Sequence, residues 1–160
     1  MIRPCTDEDI PAIDAIINEA AGAYRGVIPP DCWHEPYMTR SELVGEIAGG
    51  VRFAGWDEGG VLVGVMGVQN VRDVTLIRHA YVQPSHQSRG IGGALLAHLG
   101  GQIGTPLLIG TWAAANWAIR FYERHGFRLA APEEADRLLQ TYWDIPPRQR
   151  EASVVLSRAS

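Results

Sequence analysis

Near the start of the chain, apolar residues recur at the spacing of an α-helix. Ile10, Ile13 and Ile17 lie three or four residues apart, which predicts a first helix that runs to about Ala21. A short apolar run at Ile2–Cys5 precedes this helix and is typical of a strand. The chain therefore opens with a strand followed by a helix.

A second helix is predicted from its capping residues. Thr39 and Glu42 match the capping-box pattern, in which the side chains of the two residues bond each other's backbone amides. Gly49 and Gly50 would end this helix, because glycine suits the position after a helix C-terminus. Prolines in the segment between the two helices, residues 22–38, indicate a loop.

The middle of the chain has three runs of strand-forming residues separated by short polar breaks. They cover residues 51–56, 61–69 and 74–82, and the turn sequence DEGG follows the first. Short turns between consecutive strands predict an antiparallel meander.

Helices and strands alternate in the rest of the chain. We predict, in order, a helix, a strand, a helix, a strand, a short helix and a closing strand, over residues 90–102, 106–111, 116–125, 127–131, 132–143 and 152–157. A meander combined with strand–helix–strand crossovers is typical of an α+β fold and differs from a doubly wound sheet. We expect residues 1–160 to form a single domain.

Composition and charge narrow the classes of function. Hydrophobic residues make up 46% and charged residues 20% of the chain, as in ordinary globular proteins. The net charge of −4 argues against a broad phosphate-binding surface, so we expect no nucleic-acid partner. No apolar stretch is long enough to span a bilayer, and the N-terminus lacks the apolar segment of a signal peptide. We therefore expect no membrane partner and a cytoplasmic location.

The spacing of the cysteine and histidine residues along the sequence does not match a metal-binding motif. Cys5 and Cys32 are the only cysteines and are too few for a disulfide scaffold. His86, His98 and His125 have no ligand-like spacing with them, so we predict no metal site.

A glycine-rich segment joins the third strand of the meander to the helix after it. Its sequence is Gln87-Ser88-Arg89-Gly90-Ile91-Gly92. Glycine lets a ligand approach the main chain closely, and a helix N-terminus offers unpaired N–H groups and a positive dipole end. Arg89 adds a full positive charge, so this segment is a candidate diphosphate site. The alternative is that Gly90 and Gly92 serve only a tight turn or close helix–sheet packing.

Two motifs stand in the second half of the chain. The first is Gln87-x-x-Gly90-x-Gly92, directly after the strand that ends in Tyr81-Val82. The second runs from Asn116 to Phe127 and is similar to N-x-x-A-x-x-x-Y-x-x-x-G-F, with Ala118 one position earlier than is common. Together they resemble the two signatures of the GNAT acetyltransferases. The predicted order of elements matches that family's fold over nearly the whole chain.

The resemblance implies a central, mixed and mostly antiparallel sheet flanked by helices, with acetyl-CoA as the cofactor. Backbone groups of Tyr81 and Val82 would contact the pantetheine arm, in a gap where two strands splay apart. The pyrophosphate would be held at the glycine-rich segment by backbone amides of Gln87, Ser88, Arg89, Gly90, Ile91, Gly92 and Gly93.

The second motif supplies two candidate site residues. Tyr122 matches the family tyrosine that donates a proton to the departing thiolate, although a residue in an amphipathic helix can also serve packing alone. Asn116 is a candidate to hydrogen-bond the pantetheine, to cap the helix, or to do both.

The general base is less well defined. Some family members carry a glutamate or histidine on the strand before the first motif, and this strand, Val74–Val82, contains His79 and no carboxylate. A neutral imidazole can accept the proton of an ammonium group. Strict alternation places His79 with Ile77 and Tyr81, on the face opposite Val82, unless a bulge intervenes. A water relay, or a purely structural role for His79, is the alternative.

The loop between the first two helices is the candidate acceptor site, because it often overhangs the acceptor end in this family. Tyr24, Trp33 and Tyr37 would wall a pocket, and Asp31, Glu35 or His34 would attract an amine. Trp112 would line the same cleft or belong to the core. The proline-stiffened, aromatic loop favours a small-molecule amine as the acceptor.

These features predict an N-acetyltransferase that moves an acetyl group from acetyl-CoA to a primary amine by direct attack in a ternary complex. A catalytically weak acyl-CoA-binding module and a protein amine acetyltransferase are the alternatives. The closing strand, residues 152–157, is a candidate surface for a homodimer, because many relatives of the family dimerise.

Overall fold

A computed structural model of the chain describes residues 1–159 and contains one seven-stranded sheet. The strands lie in the order β1-β2-β3-β4-β5-β7-β6. Only β4 and β5 pair in parallel, and the other neighbours are antiparallel. The predicted α+β fold with a mixed, mostly antiparallel sheet is confirmed. The strands are β1 Ile2–Pro4, β2 Arg52–Glu58, β3 Val61–Val71, β4 Val74–Val82, β5 Leu107–Trp112, β6 Arg128–Leu129 and β7 Ser153–Arg158.

Six α-helices connect or flank these strands within residues 1–159. The order of elements is the predicted one with a single addition, the helix α6, which has only five residues and therefore no readable periodicity. The helices are α1 Ile10–Ala20, α2 Arg40–Ala48, α3 Ile91–Gly100, α4 Asn116–Arg124, α5 Pro132–Tyr142 and α6 Pro147–Glu151.

The two faces of the sheet carry separate hydrophobic cores. On one face, Leu95 of α3 and Tyr122 of α4 belong to a cluster that includes Met66 and Ile77 of the sheet. On the other face, α1 and α2 pack against Phe53 and Val65, with side chains that include Ile13, Ile17 and Leu43. The first face is called the α3 face below, and the second the α1 face.

The strands β4 and β5 separate after a short parallel contact. They pair at only three positions, from Thr75↔Leu107 to Ile77↔Ile109. Beyond this point β4 continues beside β3, and β5 continues beside β7 as far as Trp112↔Ser153. The separation leaves a gap through the sheet between the ends of β4 and β5.

A bulge interrupts β4 next to this gap. Because Gly67 pairs with Arg78 and Val65 pairs with Tyr81, the single residue Met66 faces two residues of β4, His79 and Ala80. Of these two, His79 has a φ of +54°, which is uncommon for a residue other than glycine.

The bulge makes the predicted strict alternation wrong at this point. Ile77 lies on the α3 face, whereas His79 stacks on Phe53 of the α1 face, with ring centroids 6.2 Å apart. Tyr81 also lies on the α1 face and Val82 on the α3 face. The extra residue shifts the phase of the strand by one position, so His79 and Ile77 no longer share a face.

Gly67 is required where β3 passes the bulge. A Cβ atom at Gly67 would lie 2.9 Å from the carbonyl oxygen of Arg78, 3.0 Å from Val51 and 3.1 Å from Phe53. We expect Gly67→Ala to lower the free energy of unfolding by about 1–3 kcal/mol, because the backbone oxygen cannot move away cheaply. Urea unfolding followed by circular dichroism measures this change.

Gly22→Ala is the matched control for this substitution. A Cβ atom at Gly22 would meet nothing within 4 Å, and Gly22 has no positive φ. Alanine there is expected to leave stability unchanged or to raise it slightly. Equal losses of stability in the two variants would contradict the crowding at Gly67.

Candidate active site

A cavity of about 700 Å³ lies on the α3 face, between the end of β4 and the helices α3 and α4. The turn after α1 closes it on one side through Tyr24. The cavity is lined by most of the residues that the sequence predicts to bind the cofactor. They are Tyr81, Val82, Gln87, Ser88, Gly90, Ile91, Gly92, Gly93 and Tyr122. The glycine-rich segment and the tyrosine of the second motif therefore line one cavity.

One end of this cavity is built to accept an anion. The helix α3 begins at Ile91, and its first internal bond runs from the amide of Ala94 to the carbonyl of Gly90, at 3.0 Å. The amides of the first helical residues before Ala94 have no partner within the helix, and they stand at the positive end of its dipole. A phosphate group fits this arrangement of donors.

The backbone before α3 adopts left-handed conformations at two residues. Ser88 has a φ of +65° and Gly90 a φ of +80°. A Cβ atom at Gly90 would meet nothing within 4 Å, so the backbone conformation, and not a lack of space, favours glycine there. The side-chain amide of Gln87 donates to the carbonyl of Val82 at 3.1 Å and ties this segment to the end of β4.

Three basic side chains line the anion end, and Arg89 is not among them. His86, Arg124 and His125 belong to the lining of the cavity. Arg89, which the sequence placed beside the phosphates, pairs instead with Glu58 at 3.0 Å and lies outside the lining. Of the three, Arg124 in the last turn of α4 is the residue that carries a full positive charge at neutral pH.

Tyr122 lies at the inner end of the cavity. Its side chain is 4% exposed, and its ring packs edge-on against Phe121 and Phe127, with centroids 5.0 and 5.4 Å away. Burial raises the pKa of the Tyr122 hydroxyl well above its ordinary value. The phenol is neutral at neutral pH, as an unperturbed tyrosine is, and its hydroxyl can donate a hydrogen bond.

A second cavity, of about 130 Å³, opens on the opposite side of the gap between β4 and β5. Tyr24 and Tyr81 line both cavities, and their hydroxyl oxygens lie 3.4 Å apart. The two cavities therefore meet at this pair of tyrosines. The remaining lining includes Tyr37, Arg78, His79, Gly110, Thr111, Trp112, Trp143, Ile145 and Gln149.

His79 reaches the second cavity from the bulge and is bound by a carboxylate of α2. Its Nε2 atom lies 2.6 Å from Oε1 of Glu46, and Arg78 contacts the same oxygen at 3.2 Å. Burial alone would raise the pKa of Glu46, but the hydrogen bond from His79 and the charges of His79 and Arg78 outweigh it. The pKa of Glu46 is therefore below its ordinary value, and this carboxylate is ionised at neutral pH.

The residues expected at the acceptor site divide into two groups. Tyr24 and Trp112 line the second cavity, and the indole N–H of Trp112 donates to the Tyr37 hydroxyl at 2.7 Å. Trp33 packs against Tyr37 outside the lining, with ring centroids 5.9 Å apart. Glu35 is exposed and pairs with Arg25, also outside the lining.

Asn116 also lies outside both cavities. It is the first residue of α4 and is exposed, and Ala115 takes the capping position before it. The structure does not bring its side chain together with Tyr122 or the glycine-rich segment.

Sequence reasoning missed part of the lining. Trp117, Phe121 and Arg124 lie at positions i, i+4 and i+7 of α4 and line the first cavity, but none of them is three or four residues from Tyr122. Helical spacing from Tyr122 was a usable signal only for Ala118 and His125, which also line this cavity. Glu46 had no such signal, because a long-range contact brings it to His79. Tyr37, expected as a wall of the acceptor pocket, does line the second cavity.

Residues 1–159 lack two features that would point to other functions. They contain no group of three or more histidine, cysteine, aspartate or glutamate side chains placed to hold a metal ion. None of the helices formed by these residues has the length and apolar character needed to cross a membrane.

Known structures share this fold over the whole chain. The PaiA N-acetyltransferase from Thermoplasma acidophilum, solved in complex with coenzyme A, has a TM-score of 0.75 and 17% identity, over 100% of this chain and 98% of that one. The ribosomal-protein-S18-alanine N-acetyltransferase from Escherichia coli has a TM-score of 0.73 and 20% identity, over 99% and 92% of the two chains.

A larger enzyme contains a similar unit. N-acetylglutamate synthase from Neisseria gonorrhoeae, complexed with coenzyme A and N-acetyl-glutamate, has a TM-score of 0.67 and 26% identity. The match covers 99% of this chain and 34% of that protein, so the chain spans about a third of that enzyme.

The sequence itself matches a family model. No curated protein matches the chain. The model described as an acetyltransferase (GNAT) domain matches residues 43–129, which is more than half of the chain and includes α3, the gap and Tyr122. The anion end, the gap and the buried tyrosine fit the acetyl-CoA that this family uses. The chain therefore belongs to the GNAT family and is an acetyl-CoA-dependent N-acetyltransferase.

Proposed function

We propose that the protein transfers an acetyl group from acetyl-CoA to the primary amine of a small molecule, by direct attack in a ternary complex. The observation that carries this proposal is the meeting of two cavities at Tyr24 and Tyr81, in the gap between β4 and β5. The larger cavity has room and an anion site for the coenzyme, and the smaller one opens from the opposite side. Donor and acceptor would thus meet inside the gap without a covalent enzyme intermediate.

The larger cavity would hold the coenzyme through backbone groups. The amides at the start of α3 and the left-handed turn at Ser88 and Gly90 would bind the pyrophosphate, with Arg124 adding a positive charge. Backbone groups of Tyr81 and Val82 have no strand partner on the side of β5 and would pair with the pantetheine amides. Bound acetyl-CoA supplies an activated thioester at the inner end of this cavity.

Tyr122 would act as the general acid. Its buried phenol is neutral at physiological pH, because burial disfavours the phenolate. A neutral hydroxyl can hydrogen-bond the departing thiolate and give it a proton, which a charged phenolate cannot do. This role needs the ring to stay fixed, and its edge-on contacts with Phe121 and Phe127 fix it.

His79 would act as the general base on the acceptor side. In the overall transfer the C–S bond of the thioester breaks and a C–N bond forms to the acceptor nitrogen. The acceptor ammonium gives up two protons, of which one ends on the thiol of coenzyme A and the other in solvent. His79 would take the proton that ends in solvent, and would do so before the attack; its position in the lining of the second cavity supports this role.

The size of the second cavity favours a small acceptor. Its volume is about 130 Å³, and it is enclosed by Trp143 and Ile145 of the segment between α5 and α6 and by Gln149 of α6. A protein acceptor is the second candidate, because the Escherichia coli relative is named for an alanine of ribosomal protein S18. A folded substrate would have to insert only its terminal residue into so narrow an opening.

A panel of amines tests the proposed reaction. We expect thiol release from acetyl-CoA with one or more compounds among amino acids, aromatic amines, polyamines and aminoglycosides, with the acetylated product identified by mass spectrometry. A peptide with an N-terminal alanine is included for the second candidate. Acetylation of the peptide alone would replace the small acceptor by a protein. Tight binding of acetyl-CoA with no turnover on any amine would contradict the proposal and favour a binding module.

Tyr122→Phe tests the general acid. We expect kcat to fall about 100-fold, because the thiolate loses its proton donor, while the dissociation constant of coenzyme A stays within about twofold. Tyr142→Phe is the matched control, since Tyr142 belongs to neither lining and its hydroxyl donates to Asp73 on the surface. Stopped-assay rates and calorimetry measure the two quantities. A Tyr122→Phe enzyme as fast as the control would remove Tyr122 from the mechanism.

Gly90→Ala tests the anion end. A left-handed conformation costs an alanine about 1–2 kcal/mol, so the turn before α3 should relax and move its amides away from the phosphates. We expect the dissociation constant of coenzyme A to rise about tenfold or more. Gly104→Ala serves for comparison, because Gly104 has no positive φ and a Cβ atom there meets nothing. Unchanged affinity in Gly90→Ala would show that the phosphates bind elsewhere.

A further inference from the structure

The imidazole of His79 is held from two sides. On one side its Nε2 atom lies 2.6 Å from Oε1 of Glu46, in the last turn of α2. On the other its ring stacks on Phe53. Within residues 1–159 the ring makes no other hydrogen bond to protein, so the Nδ1 atom has no protein partner among them.

This contact decides which nitrogen of His79 carries the proton. An ionised carboxylate can only accept hydrogen bonds, so Nε2 must be the donor. In the neutral ring the other nitrogen, Nδ1, then has a free lone pair. His79 also lines the second cavity, from which an acceptor amine would enter, so the ring that carries this lone pair borders the proposed acceptor site.

The charge on Glu46 also suits a ring that gains a proton. The pKa of Glu46 lies below its ordinary value, so a negative charge stands against His79 throughout the neutral range. That charge would stabilise the imidazolium formed when Nδ1 is protonated. Arg78 also contacts Oε1 of Glu46, at 3.2 Å, and donates a hydrogen bond to Gln69 at 3.0 Å. These contacts hold the Glu46 carboxylate in place and leave Nδ1 of His79 without a partner.

The bulge of β4 is what brings His79 to Glu46. Without the extra residue, His79 would lie on the α3 face with Ile77, away from α2. The φ of +54° at His79 is an unfavourable conformation for a residue with a Cβ atom, and such conformations persist where the surroundings enforce them. Here the hydrogen bond to Glu46 and the stacking on Phe53 hold His79 in this conformation.

We propose that Glu46 is a positioning residue for acetyl transfer, which holds His79 as the Nε2–H tautomer so that Nδ1 takes the proton of the acceptor ammonium. The inference rests on the proposed function, because it assigns the proton acceptor of that same reaction. It adds a residue from α2 that touches neither substrate. The proton moves from the acceptor nitrogen to Nδ1, and from there to solvent after the product leaves.

A double-mutant cycle tests the pair. The variants are Glu46→Ala, His79→Gly and their combination, and glycine adopts the φ of +54° without strain. With the best acceptor of the amine panel, we expect kcat to fall about 100-fold in His79→Gly and about tenfold in Glu46→Ala. The combined variant should be no slower than His79→Gly alone, because Glu46 acts only through the imidazole. Glu19→Ala, an exposed glutamate of α1, should keep the wild-type rate.

Two further measurements separate positioning from a merely structural role. Added imidazole should restore part of the rate of His79→Gly, and less so when Glu46 is also replaced. Nitrogen-15 spectra of the unmodified protein at alkaline pH should show the proton of His79 on Nε2, and Glu46→Ala should shift it toward a mixture of tautomers. The spectrum of the unmodified protein tests the tautomer even if the enzyme is inactive and even if no variant folds.

Each outcome decides the proposal. Losses that multiply in the combined variant, or a proton found on Nδ1 of the unmodified protein, would overturn it and leave Glu46 as an anchor between α2 and β4. In that case turnover of the amine by the unmodified enzyme would still stand, and the proposed function with it. If the unmodified enzyme acetylates no amine, both proposals fail together.

Discussion

The separation of β4 from β5 is the constraint on which the site depends. Parallel strands normally bond along their whole length, yet here the ladder stops after Ile77↔Ile109. Both strands stay in the sheet because each has a second neighbour, β3 on one side and β7 on the other. The edges that face the gap keep unpaired N–H and C=O groups, which are costly to bury without a partner. An extended ligand with amide groups is the natural complement of such an edge.

The two faces of the sheet present different chemical groups to this gap. The α3 face supplies amides at a helix N-terminus and the buried phenol of Tyr122, which suit a phosphate and a departing thiolate. The α1 face supplies aromatic walls and the pair of Glu46 with His79. Among residues 1–159, Tyr24 and Tyr81 are the two that line both cavities, and they border the passage through the sheet in which the proposed transfer would occur.

Local sequence signals account for most of the fold and for about half of the site. The isoleucines of α1, the capping box of α2 and the glycines before α3 each act over a few residues, and the predicted elements are present. The phase of β4 was not predictable, because the bulge depends on how Met66 of β3 meets it across the sheet. Arg89 and Glu35 formed ion pairs with Glu58 and Arg25, so charge alone did not determine where they point.

The position of β7 has a consequence for how the protein folds. This strand lies between β5 and β6, although both of them precede it in the chain. Until residues 153–158 are inserted, β5 is held only by its three pairs with β4, and β6 has no partner at all. A nascent chain that lacks these residues could therefore pair β2, β3 and β4, but β5 would have a single short ladder and β6 would have none. Leu156 of β7 also belongs to the hydrophobic cluster of the α3 face, so the same insertion completes the core beneath α3 and α4.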